Sequence, residues 1–155
     1  MSYGVMRLMT RMSFLLGTLF VFTLTAAASA QDAGIQGGLS VDPDQFYFGG
    51  HVETPPLVDR LHFRPNVEVG FGDDLTLITA NMDFVYKFPT NRTGWGLYAG
   101  GGPALNVYMF DDDSNSEAGV NFLVGVYQAR GLFFEFKVGA MDSPDFKFGV
   151  GWTFR

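Results

Sequence analysis

Phe146-Lys147-Phe148-Gly149-Val150-Gly151-Trp152-Thr153-Phe154 alternates without a fault. Successive side chains of a strand point to opposite faces. Phe146, Phe148, Val150, Trp152 and Phe154 therefore share one face, and Lys147, Gly149, Gly151 and Thr153 share the other. One side of this strand is wholly apolar, while the other carries small, hydroxyl or charged groups. The two sides must meet different surroundings.

The same reading extends back along the chain. Period-2 alternation and turn residues predict eight strands, at about residues 33–40, 45–54, 61–71, 75–88, 95–110, 118–129, 131–141 and 146–154. No helical period competes after residue 30. The links are short and polar, among them Val41-Asp42-Pro43-Asp44, Gly72-Asp73-Asp74, Asp111 to Glu117, Arg130-Gly131 and Asp142-Ser143-Pro144-Asp145. Short links between successive strands force antiparallel neighbours, which makes the sheet an up-and-down meander.

Several strands repeat the pattern of the last. In the seventh, Leu132, Phe134, Phe136, Val138 and Ala140 oppose Phe133, Glu135, Lys137 and Gly139; in the third, Leu61, Phe63, Val67, Val69 and Phe71 oppose His62, Arg64, Asn66, Glu68 and Gly70. The aromatic residues sort in the same way. After residue 30 all but two phenylalanines fall on the apolar face, whereas Tyr47, Tyr98, Tyr108 and Tyr127 fall on the other, where a phenol oxygen finds a partner.

The polar face carries Glu53, Glu68, Asp83 and Glu135 against Arg64, Lys87, Lys137 and Lys147, together with His51, His62, Asn66, Asn81, Asn106 and Asn121. A charge-balanced set is what a closed interior requires, because buried ions without partners are costly. A soluble eight-stranded ligand barrel has the inverse arrangement, an apolar lumen and a polar exterior. Strands of this length suit a bilayer when tilted, and closure leaves no unpaired edge in lipid. The predicted fold is thus all-β, an eight-stranded antiparallel up-and-down transmembrane β-barrel. Two details qualify it. Pro65 and Pro103 fall inside strands and cannot donate a ladder hydrogen bond, so a bulge or bend is expected at each. Twelve inward glycines (34, 38, 49, 70, 96, 100, 102, 119, 125, 139, 149 and 151) are expected to leave cavities or a constricted water path.

Residues 1–30 read as a cleavable secretory signal. Arg7 and Arg11 precede an apolar run from Ser13 to Leu24, and Ala28-Ser29-Ala30 supplies the small residues of a cleavage site before Gln31. Residues 31–155 then form one domain. All 16 acids but only eight of the ten bases lie in that domain, leaving a net charge of −8 and arguing against nucleic acid as a partner. With no cysteine there is no disulfide, thiol nucleophile or Cys-based metal site.

Candidate catalytic groups are sparse. His51 with Glu53, and His62 with Arg64 and Glu68, fit an interior salt-bridge network better than an acid–base or metal cluster. Ser40, Ser114, Ser116 and Ser143 have no histidine within a few residues, so no nucleophile–base pair is evident. Asp111-Asp112-Asp113-Ser114-Asn115-Ser116-Glu117 begins like a calcium loop but lacks its glycine at position six and its glutamate at position twelve. Asn91-Arg92-Thr93 is read as a turn. The sequence therefore presents no catalytic residue, no metal site and no cofactor motif.

The last strand resembles the C-terminal assembly signal of bacterial outer-membrane β-barrel proteins, which runs polar, any, glycine, any, any, hydrophobic, any, aromatic. Lys147, Gly149, Trp152 and Phe154 fill the specified positions, and Arg155 departs from the pattern by following the aromatic residue. Residues 31–155 as a whole resemble the small eight-stranded barrels of the OmpA or OmpX type. The resemblance implies a bacterial outer-membrane location, insertion by the outer-membrane assembly machinery and contact with outer-membrane lipids, including lipopolysaccharide. It does not fix activity, because this fold serves several functions. A structural or surface-interaction role without catalysis is expected, with a lipid A-modifying enzyme and a narrow pore as alternatives. No extracellular partner can be named.

The resemblance also orients the barrel. Loops one, three, five and seven carry ten acids and no base, whereas the intervening turns carry Arg60, Arg92 and Arg130 with Asp59, and Arg155 lies at the same end. An even strand count puts both termini on one side, and bacterial barrels keep theirs periplasmic. The acidic rim is then extracellular, where it could recruit divalent cations that bridge to lipid phosphates. Aromatic girdles fit both ends, with Phe46, Phe48, Phe71, Phe146 and Phe148 near the acidic rim and Tyr86, Phe88, Trp95, Trp152 and Phe154 near the other.

Overall fold

A computed structural model describes residues 31–155; the leader expected over residues 1–30 lies outside them. Eight strands follow one another: β1 (Asp32–Val41), β2 (Gln45–Glu53), β3 (Leu61–Gly72), β4 (Leu75–Lys87), β5 (Trp95–Met109), β6 (Ser114–Gln128), β7 (Leu132–Met141) and β8 (Phe146–Phe154). Each pairs with the next in antiparallel register, and β8 closes onto β1 from Ala33 opposite Phe154 to Val41 opposite Phe146. The result is a closed eight-stranded all-antiparallel barrel, the fold class read from the alternation.

Alternation decides which residues enter. On β4, Leu77, Thr79, Asn81, Asp83 and Val85 are buried, while Met82 and Phe84 between them are exposed. The exterior carries large apolar side chains over its whole circumference, including Ile35, Phe48, Leu97, Phe122, Phe134 and Phe148. Some of these pack as rows across strands, as Phe46 and Phe48 do against Phe71 at 6.1 and 5.9 Å, and Phe136 against Phe148 at 4.7 Å. An apolar surface of this extent is foreign to a monomeric soluble protein.

Three features depart from the sequence reading. β6 begins at Ser114 rather than near residue 118, because Ser114 to Glu117 pair with Met109 to Asn106 and lengthen the hairpin. The acidic connection shrinks to a tight turn in which the Phe110 amide donates to the Asp113 carbonyl at 2.8 Å. This extension has no apolar face to alternate, so hydrophobic period could not reveal it.

The bulges expected at Pro65 and Pro103 do not form. Register runs unbroken past each proline on one side, with Pro65 opposite Met82 and Pro103 opposite Val120. On the other side the ladder is interrupted and then resumes in the same register. Pairing of β2 with β3 stops at His51 and Asn66, and Thr54 donates to the Phe63 carbonyl beyond it at 3.0 Å. Pairing of β4 with β5 skips from Asn81–Ala104 to Phe84–Gly101. A missing N–H is absorbed as a gap rather than as an extra residue.

The inward glycines, finally, leave no open space at their own positions. Cross-strand neighbours fill their space: the His51 ring covers Gly34, Tyr127 covers Gly96, Tyr98 covers Gly125, Phe133 covers Gly151 and the Tyr47 hydroxyl reaches Gly149. Four of these five pairs are direct register partners. Ring and glycine together occupy the width of two ordinary side chains.

Turn chemistry supplies a stability prediction. Gly131 closes the β6–β7 turn at φ +120°, where L side chains are strained, and a Cβ there would collide with the Thr153 backbone carbonyl. Gly50 lies in β2 with its nearest Cβ neighbour at 3.5 Å, ordinary contact. Gly131→Ala should therefore cost at least about 1 kcal/mol, and Gly50→Ala should be neutral or slightly stabilising. Urea unfolding of the refolded barrels measures both; equal midpoints would contradict the turn's role.

Candidate functional site

The lumen is the only place in the described residues where charge is concentrated and buried. Glu53, Glu68, Asp83, Glu135, Arg64, Lys137 and Lys147 are all buried, and Lys87 is half-buried at the end nearer the termini. Their pairing follows from which strand supplies which sign. Lys137 on β7 and Lys147 on β8 are register partners, a like-charge juxtaposition that is unfavourable by itself. Glu68 on β3, across the lumen, lies between them, 3.4 Å from Lys137 and 2.6 Å from Lys147. Lys137 also reaches Asp83 at 3.1 Å and Glu135 at 3.5 Å, so one ammonium touches three carboxylates.

Arg64 and Asp83 are register partners on β3 and β4, yet each pairs with β7. Arg64 donates to Glu135, and Asp83 accepts from Lys137. The Tyr98 hydroxyl donates to the same Glu135 carboxylate at 2.8 Å. The Arg64 guanidinium lies over the Tyr98 and Phe133 rings at 5.2 and 5.6 Å, and Lys147 over Tyr47 at 4.8 Å. Aromatic faces thus supply a second favourable surface for buried cations. Glu53 pairs with Lys87 near the mouth that holds the termini and stands 3.7 Å from His62.

Amide side chains extend the network. Asn121 donates to Asn81, and Asn81 to Asn66, both at 2.6 Å, and Asn66 donates to Asp83 at 2.9 Å. Toward the end opposite the termini, Thr79 donates to Asn106 at 3.0 Å, and Asn106 donates to the Asp142 carbonyl at 2.8 Å. Gln36 and Thr153, which the alternation of the weak first strand and of the last did not single out, complete the set. Gln36 donates to Glu68 at 2.6 Å, which turns its carbonyl toward His51 Nδ1 at 3.0 Å. That nitrogen must then carry the proton, and His51 Nε2 shares a hydrogen bond with the Thr153 hydroxyl at 3.0 Å. His51 thus links Gln36 on β1 to Thr153 on β8.

Below the charges sits a small apolar collar of Val85, Tyr98, Leu123 and Phe133, with Tyr127 against it. No serine bonds a histidine among the described residues: Ser40 donates to the Pro43 carbonyl at 2.9 Å, and His62 Nδ1 contacts the Thr54 carbonyl at 2.8 Å. Nor do three His, Asp or Glu side chains converge among them as metal ligands.

The four residues expected to form an assembly signal divide between the faces of the closing strand. Lys147 points into the lumen, Gly149 makes room for the Tyr47 hydroxyl, and Trp152 and Phe154 are on the exterior.

Lys147→Ala leaves Glu68 with one cation fewer inside the barrel, a loss of about 3–5 kcal/mol when a buried pair is broken. Asp112→Ala removes an exposed rim charge and should stay within about 0.5 kcal/mol. Urea midpoints of the two refolded variants distinguish a dry lumen from a hydrated one, in which they would coincide.

No family model matches the chain, and no curated protein matches it in sequence. Among solved structures it is similar to the crystal structure of the N-terminal β-barrel domain of Pseudomonas aeruginosa OprF. The TM-score is 0.58 at 17% identity, over 80% of this chain and 96% of that one. The shared property is the fold, a closed barrel of eight strands.

Proposed function

We propose that the chain is an integral outer-membrane β-barrel protein with a plugged lumen and a structural or surface-interaction role rather than a catalytic one. The observation that carries this reading is the inverted polarity of the closed barrel, with ion pairs inside and Phe, Leu, Ile and Val outside. Such an exterior is stable against hydrocarbon, and a ladder without an edge leaves few backbone groups to satisfy there. Strand lengths of 9 to 15 residues agree, the shorter ones matching a bilayer crossing and β5–β6 exceeding it. The similarity to the OprF barrel domain adds a fold precedent.

In this reading residues 1–30 direct export and are removed near Ala30 and Gln31. The outer-membrane assembly machinery recognises β8 through Lys147, Gly149, Trp152 and Phe154, and lipids including lipopolysaccharide cover the exterior. The acidic rim faces outward and the arginine-bearing rim the periplasm. The β5–β6 hairpin, with Asp111, Asp112 and Asp113 at its tip, stands farthest out and is the best-placed surface for an extracellular partner.

Phe154→Ala should reduce outer-membrane levels and leave periplasmic aggregates, read by fractionation and by the heat-modifiable migration of folded barrels. Normal levels of folded protein would overturn the signal assignment. In planar bilayers the refolded protein should give no steady conductance, since the collar and ion pairs close the lumen. Regular openings would establish the pore instead.

A further inference from the structure

One cluster of charge extends beyond the lumen network. At the end of the barrel that holds the termini, three turns and the first residue of β1 surround a recess of about 430 Å³. Its charged lining is Arg60, Lys87, Arg155, Asp32 and Glu53, with His62 beside them, and Phe88, Pro89 and Tyr127 form an apolar wall. Both carboxylates already face a base. Glu53 takes Lys87, and Asp32 lies 3.4 Å from Arg155 in a pair with both members substantially exposed, the kind that water and competing ions exchange readily. Arg60 makes no side-chain hydrogen bond or ion pair among the described residues. Its neighbour Asp59 accepts instead from the Tyr86 hydroxyl at 3.1 Å, and its own carbonyl accepts the Lys87 amide at 3.0 Å, which fixes the turn.

A second observation lies directly beneath. A partly open void of about 10 Å³ shares Glu53, Lys87, Tyr127 and Arg155 with the recess and is lined below by Arg64, Tyr98 and Phe133. Arg64 is 3% exposed, and its Nε–H has no acceptor although its terminal nitrogen holds Glu135. Buried N–H groups are nearly always partnered, so an orphan beside a void the size of one water marks a place where an oxygen belongs. Among the residues lining the recess and the void, the unused capacity is that of donors: the Arg60 guanidinium, the Arg64 Nε–H and the exchangeable Arg155, which also donates to the Ala129 carbonyl at 3.2 Å; the other orphaned buried atom, Asp83 Oδ1, lines neither space.

We infer that the recess at the inner mouth is a binding site for an oxyanion, clamped by Arg60 and Arg155 at the lip and joined through one water in the void to Arg64 Nε–H. The guanidinium fork suits carboxylate and phosphate oxygens, and the Phe88, Pro89 and Tyr127 wall accepts the carbon portion that bears them. The anion displaces Asp32 from Arg155 and leaves the Lys87–Glu53 pair in place. Which compartment supplies the anion rests on the orientation proposed above; the binding itself does not. A phosphate group is the simplest such ligand, either free in solution or on a lipid headgroup at the barrel rim.

The test uses the protein refolded in a maltoside detergent, which carries no phosphate, and follows the arginine Nε–H resonances by nitrogen-15 NMR. The Arg64 signal is identified by its loss in Arg64→Lys or, should that variant not refold, by cross-relaxation with the Tyr98 and Phe133 rings, over which its guanidinium lies. Titration with inorganic phosphate should shift the Arg60 and Arg64 signals along one saturable curve that chloride at matched ionic strength does not reproduce. Arg60→Gln, an exposed substitution that leaves the fold intact, should weaken it about tenfold or more, the loss of one charge-assisted contact. A second arm adds phosphatidylglycerol or phosphatidylcholine to the micelles. A saturable response to either lipid, without one to inorganic phosphate, assigns the oxyanion to a headgroup and supports the site equally. Shifts that chloride reproduces, that survive Arg60→Gln, or that are absent in both arms would overturn it and leave the Arg64 void with water alone. Cell fractionation decides the outer-membrane reading separately, so the two can fail independently.

Discussion

Eight strands enclose an interior only as wide as the side chains that fill it. Every inward residue must therefore fit against those of its neighbours, and this barrel meets the limit by setting rings beside glycines. His51 lies over Gly34, Tyr98 over Gly125, Tyr127 over Gly96 and Phe133 over Gly151. A second large side chain at any of these levels would force the wall apart. The glycines make the closed β1–β8 seam compatible with a lumen that also holds Arg64, Lys137 and Lys147.

Narrowness also governs the electrostatics. A barrel this small cannot hydrate each of its ions separately, so the signs must meet across the lumen. Acids and bases share β3, β4 and β7, so the pairs form between strands, and Glu68 separates two lysines that register alone would set against each other. Breaking such a pair is more costly than never having had it, which makes the interior a specification of one closed arrangement. Asn66, Asn81 and Asn121 carry that specification round the wall, because each amide both donates and accepts.

The strand count, the antiparallel order and the inward face were legible in the sequence, since Phe146 to Phe154 and Leu132 to Ala140 alternate with a period only a strand can use. The start of β6 was not, because Ser114, Asn115 and Ser116 are polar on both faces and leave no alternation to read. The fate of the glycines was equally hidden. Gly125 looks like an empty position until register places Tyr98 opposite it, and register between strands is a property of the closed sheet. Gln36 escaped for a related reason: β1 has only Ile35 and Leu39 as apolar markers, and its importance comes from Glu68, which is 32 residues away in sequence and adjacent only after closure. The orphaned Arg64 nitrogen is a fact of packing alone.

The two prolines acquire a further meaning beside the ion pairs. Pro65 interrupts the β2–β3 ladder and Pro103 the β4–β5 ladder, so the β3–β4 hairpin is fastened to itself but loosened along both flanks at one level. Arg64 and Asp83, the inward residues next to Pro65 and to its partner Met82, reach across the lumen to Glu135 and Lys137 on β7. They act as transverse struts, bracing the wall from the opposite side where its own seams are thinnest. In a tube whose rigidity ordinarily comes from hoop-like hydrogen bonding around its circumference, this band is held by spokes.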